Sequence, residues 1–153
     1  MLKIPLQIRK FVAEQKMLFL PVLLHHKLVS GNVQFLIDTG SPFTVLSPRE
    51  GIRFRYQLKE LSRKPSAVVQ LAGFKFKRFP LNDSVTFTFI DETGTPQSTN
   101  YSNLQLLSPT KVDERTLKEC QHIPSIIGID FLEDKGITLI YNPSRNSAFL
   151  EYP

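Results

Sequence analysis

Apolar and polar residues alternate along much of this chain with the period of two expected of half-buried strands. Val85-Thr86-Phe87-Thr88-Phe89-Ile90 is the cleanest such segment, and Asp91-Glu92-Thr93-Gly94 supplies the turn after it. Lys16 to Leu24 is apolar, Leu28-Val29 continues it, and Ser30-Gly31-Asn32 reads as a turn before Val33 to Ile37. These segments predict a hairpin. Val68 to Phe79 alternates around Gly73 and predicts an exposed two-stranded ribbon bent at the glycine. Leu104 to Leu107 follows a polar loop, and Ile137 to Tyr141 and Ala148 to Tyr152 flank a turn at Asn142-Pro143-Ser144. Helical signals are short. Ser47-Pro48-Arg49-Glu50 has a capping Ser, a first-turn Pro and a Glu three residues after the cap, but Gly51 follows at once. Asp113 to Gln121 and Ile129 to Lys135, the latter ended by Gly136, predict two further helices, and Arg53 to Lys64 reads as a basic solvated connection.

Composition narrows the picture. The chain has 153 residues, 41% hydrophobic and 22% charged, which suits one ordered domain over 1–153. Its core is expected in Lys16–Tyr152, with the residues before Lys16 as an extension or a dimer-interface strand. Eleven prolines are so spread that the longest proline-free run is Val22 to Ser41, which excludes a helical bundle. The longest uncharged stretch, Thr93 to Thr110, is rich in Thr, Ser, Asn and Gln, so no membrane span is expected. The apolar block Met17 to Leu24 is broken by Pro21 and followed by His25-His26-Lys27, unlike a signal peptide. With a single cysteine, Cys120, these features predict a cytoplasmic protein with an inert thiol and no disulfide. Adjacent histidines on a strand face opposite ways, and His122 is the only other one, so no metal site is expected. The net charge of +5 is scattered.

The chemistry centres on Asp38. It follows Phe35-Leu36-Ile37 directly, so the strand carries a carboxylate toward the core, where a charge needs partners. Thr39 offers a hydroxyl and Gly40 an open backbone.

Val33 to Ser47, with Asp38-Thr39-Gly40-Ser41 at its centre and Thr44-Val45-Leu46 as the following strand, resembles the active-site loop of retropepsin-like aspartic proteases. Ser125-Ile126-Ile127-Gly128-Ile129-Asp130-Phe131-Leu132 is similar to the second signature of that family, in the expected order. The resemblance implies a mainly β fold, a closed β-barrel of the acid-protease type with one short C-terminal helix. It also implies a homodimer, because two carboxylates sharing a proton are required and this chain carries one Asp-Thr-Gly. By the same resemblance Asp38 is catalytic and Thr39 bonds across the dimer axis. Gly40 lets its amide approach the carboxylate, and Ser41 donates to the outer carboxylate oxygen. Ile126, Ile127 and Gly128 pack behind the loop, and Asp130 has a structural role at the helix start. The substrate would be an extended polypeptide, and no cofactor would be needed.

Such an enzyme needs a ribbon that closes over its substrate, and Val69, Leu71, Gly73, Phe74 and Phe76 are the candidates. Lys75, Lys77 and Arg78 make this segment bulkier and more charged than a glycine-rich flap tip. Two alternatives stand beside the endopeptidase: a catalytically silent dimerisation module of the same fold, and a basic β-barrel. The latter would bind single-stranded nucleic acid through the interleaved Phe74 to Phe79.

Overall fold

The period-two segments fold as strands. The protein is described by a computed structural model over residues 1–10, 15–54, 67–71, 73–81, 83–110 and 113–153. In chain order these form β1 (Leu2–Pro5), β2 (Gln7–Lys10), β3 (Lys16–His25), β4 (Gly31–Ile37) and β5 (Val45–Leu46). Helix α1 (Pro48–Phe54), β6 (Ala67–Leu71), β7 (Phe74–Pro80), β8 (Val85–Ile90), β9 (Pro96–Tyr101) and β10 (Gln105–Pro109) follow. The chain continues with α2 (Glu114–Cys120), β11 (Ser125–Ile127), α3 (Ile129–Lys135), β12 (Thr138–Asn142) and β13 (Ser147–Tyr152).

A large sheet runs in the order β6-β7-β10-β5-β11-β4-β3-β8-β9, with β2 paired to β3, and a small one in the order β1-β13-β12. The mainly β expectation holds, but the closed barrel does not: among the described residues the path is open between β6 and β9. Among the described residues three seven-residue helices form, at the three places with helical signals, where the resemblance implies only the C-terminal one. Of the residues before Lys16, Leu2–Pro5 pairs with β13 and Gln7–Lys10 with β3, so both stretches belong to these sheets.

Local chemistry explains the other differences. The first hairpin turns earlier than expected, because Leu24 already faces Gly31. Its loop is closed by Ser30, whose hydroxyl donates to the His26 carbonyl and accepts from the His26 amide at 3.2 Å. Helix α1 runs through Gly51 to Phe54, and its Glu50 does not complete a capping box. The Ser47 amide donates instead to Ser125 Oγ (3.0 Å), while buried Glu50 pairs with Arg49 and Arg53. Strand β9 sits in what reads as polar loop. Its outward side chains bond across to β8, with Thr86 donating to Asn100 at 2.9 Å and the Thr88 and Ser98 hydroxyls 2.8 Å apart. The basic connection falls mostly on 55–66, outside the described residues.

Two apolar clusters hold the sheet. The larger includes Phe35, Phe87 and Phe131, with ring centroids 5.7 Å and 5.1 Å apart in sequence, and Tyr101 edge-on to Phe131 at 5.0 Å. Full burial of each such ring stabilises the fold by about 2–3 kcal/mol, and here it also seats α3 against the sheet. The smaller comprises Val45, Phe76, Leu107, Cys120, Ile123 and Ile126. Alternation along β7 sends Phe79 to the first cluster and Phe76 to the second, so the two rings leave the strand on opposite faces. That placement removes Phe76 and Phe79 as a stacking platform for bases. Burial also pushes the Cys120 thiol up from its ordinary value.

Candidate active site

Asp38 is the first residue beyond β4, and its position follows from the sheet order. Strand β11 lies between β4 and β5, parallel to the first through Ser125↔Phe35 to Ile127↔Ile37, and antiparallel to the second at Ile126↔Val45. A chain leaving β4 must therefore arch over the end of β11 to reach β5. Residues 38–44 are that arch. Its first bond extends the ladder, with the Asp38 amide donating to the Ile127 carbonyl at 3.0 Å.

Within the arch the Gly40 amide donates to Asp38 Oδ1 at 2.9 Å and the Ser41 amide to the Asp38 carbonyl at 3.1 Å. Gly40 thus brings its amide to the carboxylate. Ser41 does not reach the carboxylate's outer oxygen: its hydroxyl donates to the Phe43 carbonyl at 2.8 Å. Thr39 is exposed and Asp38 half-buried. Ile127 is fully buried behind the arch and Ile126 lies in the smaller cluster. Gly128 faces a tighter constraint. A Cβ there would lie 2.5 Å from the Phe43 carbonyl oxygen and 2.6 Å from that of Ser41, so only glycine lets α3 begin directly beneath the arch.

The far side of the arch is clamped by a network that sequence reading reached only at Gly128 and Asp130. The Thr44 hydroxyl donates to Asp130 Oδ1 (2.8 Å), its amide to Oδ2 (3.1 Å), and its oxygen accepts from the Gly128 amide (3.0 Å). The Tyr101 hydroxyl donates to Asp130 Oδ2. Burial, with the Asp130 carboxylate as acceptor, pushes the Tyr101 phenol well above its ordinary value, so it remains a donor at any working pH. Nothing local marks Tyr101, which ends a polar strand far along the chain; Thr44 had a signal in its position between two apolar strands and the arch.

Asp38 opens onto a cavity of about 330 Å³ lined also by Phe43, Val45, Val69, Leu71, Leu107 and Ile126, with Arg78 at its wall. Among the described residues Asp38 is its only acid. The β6–β7 ribbon forms one side, where Val69 and Leu71 line the cavity onto which the carboxylate opens. Gly73 makes the bend with φ +82° and open space around it. Phe74 and Phe76 do not line the cavity; they pack on one another, centroids 6.4 Å apart, and Phe76 is completely buried. Arg78, Phe43 and Leu107 were not anticipated as site residues. For Arg78 the signal was available, since it continues the i, i+2 series of Phe74 and Phe76. Among the described residues no cluster of His, Cys, Asp and Glu has metal-binding geometry.

No protein-family model matches the chain, and no curated protein matches it in sequence. Its architecture is similar to the crystal structure of a retropepsin-like aspartic protease from Rickettsia conorii, with a TM-score of 0.54 over 98% of this chain and 90% of that one. The fold is retropepsin-like. Identity between the two is 15%, so this likeness concerns the fold alone.

Proposed function

We propose that the protein is an aspartic endopeptidase that acts as a homodimer on extended polypeptide. The observation that carries this reading is the half-buried Asp38 at the mouth of an apolar cavity, within a retropepsin-like fold, with a single donor on its carboxylate among the described residues. One carboxylate is half of the required machinery. A two-fold axis through the exposed Thr39-Gly40 turn supplies the other from an identical chain, with the Thr39 hydroxyls tying the two arches together.

Two carboxylates at such an axis share one proton, because like charges so close cannot both ionise readily. The ionised Asp38 takes a proton from a water as that water's oxygen bonds to the scissile carbonyl carbon. The protonated Asp38 of the other copy hydrogen-bonds the carbonyl oxygen. Collapse of the tetrahedral species breaks the C–N bond as a carboxyl proton passes to the leaving nitrogen. The Asp38 arch must not shift during these steps, which is the role of the Gly128, Thr44, Asp130 and Tyr101 contacts. The β6–β7 ribbon covers the substrate and lends its edge to an extended backbone.

The test combines sedimentation with hydrolysis of an unfolded protein. The expected result is a dimer whose cleavage disappears in Asp38→Asn without change in dimer mass or circular dichroism. A species that stays monomeric at the concentration where cleavage is observed, or activity that survives the substitution, overturns the reading.

A further inference from the structure

The cavity beside Asp38 is aliphatic on most of its surface, through Val45, Val69, Leu71, Leu107 and Ile126. One fixed cation interrupts it. Arg78 shares a face of β7 with Phe76 and lies opposite Leu107 in the ladder, which directs it into the cavity. Lys75 and Lys77 alternate with it and are exposed, so they belong to the other face. The Arg78 guanidinium carbon stands 3.6 Å from the centroid of the Phe43 ring, and Phe43 lines the same cavity. Stacking on an aromatic face holds the guanidinium plane in place, and a guanidinium's N–H donors point outward within its plane, around the ring's edge.

We propose that Arg78, held on Phe43, is a specificity-determining residue that selects an acidic side chain, glutamate foremost, at the substrate position entering this cavity. Glutamate has the matching construction: two methylenes lie against the aliphatic wall and the carboxylate reaches the guanidinium in a charge-assisted hydrogen bond. A lysine at the same position meets a like charge, and glutamine gives up the ionic part of the bond. Arg78 also offsets the negative charge of Asp38, the other charged group on the cavity wall among the described residues, which would otherwise repel such a substrate. The inference rests on the protease reading for calling the bound peptide a substrate, but binding can be measured without catalysis.

The experiment uses the full chain carrying Asp38→Asn and short extended fluorescent peptides with Glu, Gln or Lys placed at each position in turn, read by anisotropy. At one position Glu should bind about 10-fold more tightly than Lys, with Gln between them. Adding Arg78→Gln should abolish the ranking while leaving circular dichroism unchanged. Arg78→Lys, which keeps the charge and loses the planar fork, should restore part of it and serves if the Gln variant does not fold. Equal affinities at every position, a ranking that survives Arg78→Gln, or no binding by any peptide overturns the proposal. The chain with Asp38 intact separates the two readings: peptides ranked by charge but never cut defeat the protease alone, and peptides cut without regard to charge defeat the Arg78 assignment alone.

Discussion

Two aspartates in this chain sit in like surroundings and have opposite fates. Asp38 and Asp91 each follow an apolar strand, each opens a turn with threonine and glycine, and each accepts backbone amides within that turn. Asp91 is saturated. Its Oδ1 accepts from the Thr93 hydroxyl (2.6 Å), the Thr93 amide (2.8 Å) and the Thr95 amide (3.0 Å), and its Oδ2 from Gln97 Nε2 (2.9 Å). These bonds, led by the Thr93 hydroxyl, favour the charged form and draw its pKa down to about 2. Among the described residues Asp38 has one such bond, from Gly40, and it lines a cavity. A carboxylate surrounded by donors is committed to staying ionised and holding a turn. One left with open valences can exchange a proton and bind water, and that difference in satisfaction separates scaffold from chemistry.

The largest expected effect breaks the pair apart by function. On the protease reading, Asp38→Asn lowers kcat by about 10²–10⁴-fold, the usual worth of a positioned acid–base group, and leaves the unfolding midpoint in place. Asp91→Asn should do the reverse, and steady-state cleavage beside urea unfolding checks both. Next comes the support of the Asp38 arch. Gly128→Ala drives a Cβ into two carbonyl oxygens, and a loss of about 3 kcal/mol or more by chemical denaturation is expected. A smaller loss, about 1–3 kcal/mol, is expected for Tyr101→Phe, which leaves half-buried Asp130 without its phenol donor. That variant should also lower kcat more than KM rises, because it loosens the arch and not the cavity wall.

The smallest effect sharpens the comparison through pH. Asp91 has a native pKa of about 2 against an ordinary value of 3.8, so the unfolded chain takes up its proton first as the solution is acidified. Its stabilisation is therefore complete above about pH 4 and fades between there and about pH 2. The stability gap between the protein and Asp91→Asn should stay constant from neutral pH to about 4 and close below it, as followed by denaturant midpoints across that range. A gap that does not move would mean that Asp91's bonds do not discriminate between its two charge states.

Much of this was legible in order along the chain. Val85–Ile90 and Ile129–Lys135 match their sequence boundaries, because strict alternation and a closing Gly136 are local signals that tertiary packing had no reason to override. Asp38 stood out because a charge directly after three large apolar residues is expensive unless it has a purpose. Polar β9 was invisible because its cross-strand Thr, Ser and Asn bonds exist only once β8 lies beside it. Phe76 read as a flap residue because alternation gives the face but not what covers it, and here a second apolar cluster does.

The amino-acid order alone settled the strand-rich class, and it singled out the candidate carboxylate and the two segments that frame it, since each depends on neighbours within a few residues. Tertiary structure decided the rest. Only the insertion of β11 between β4 and β5 makes the Asp38 turn an arch with glycine beneath it, and only long-range packing brings Tyr101, Asp130 and Thr44 to one bond network. Arg78 and Phe43 likewise meet across a cavity that neither segment encloses by itself. Contacts between distant segments obey geometry that periodicity does not encode, and it is those contacts that leave Asp38 open while Asp91 is closed.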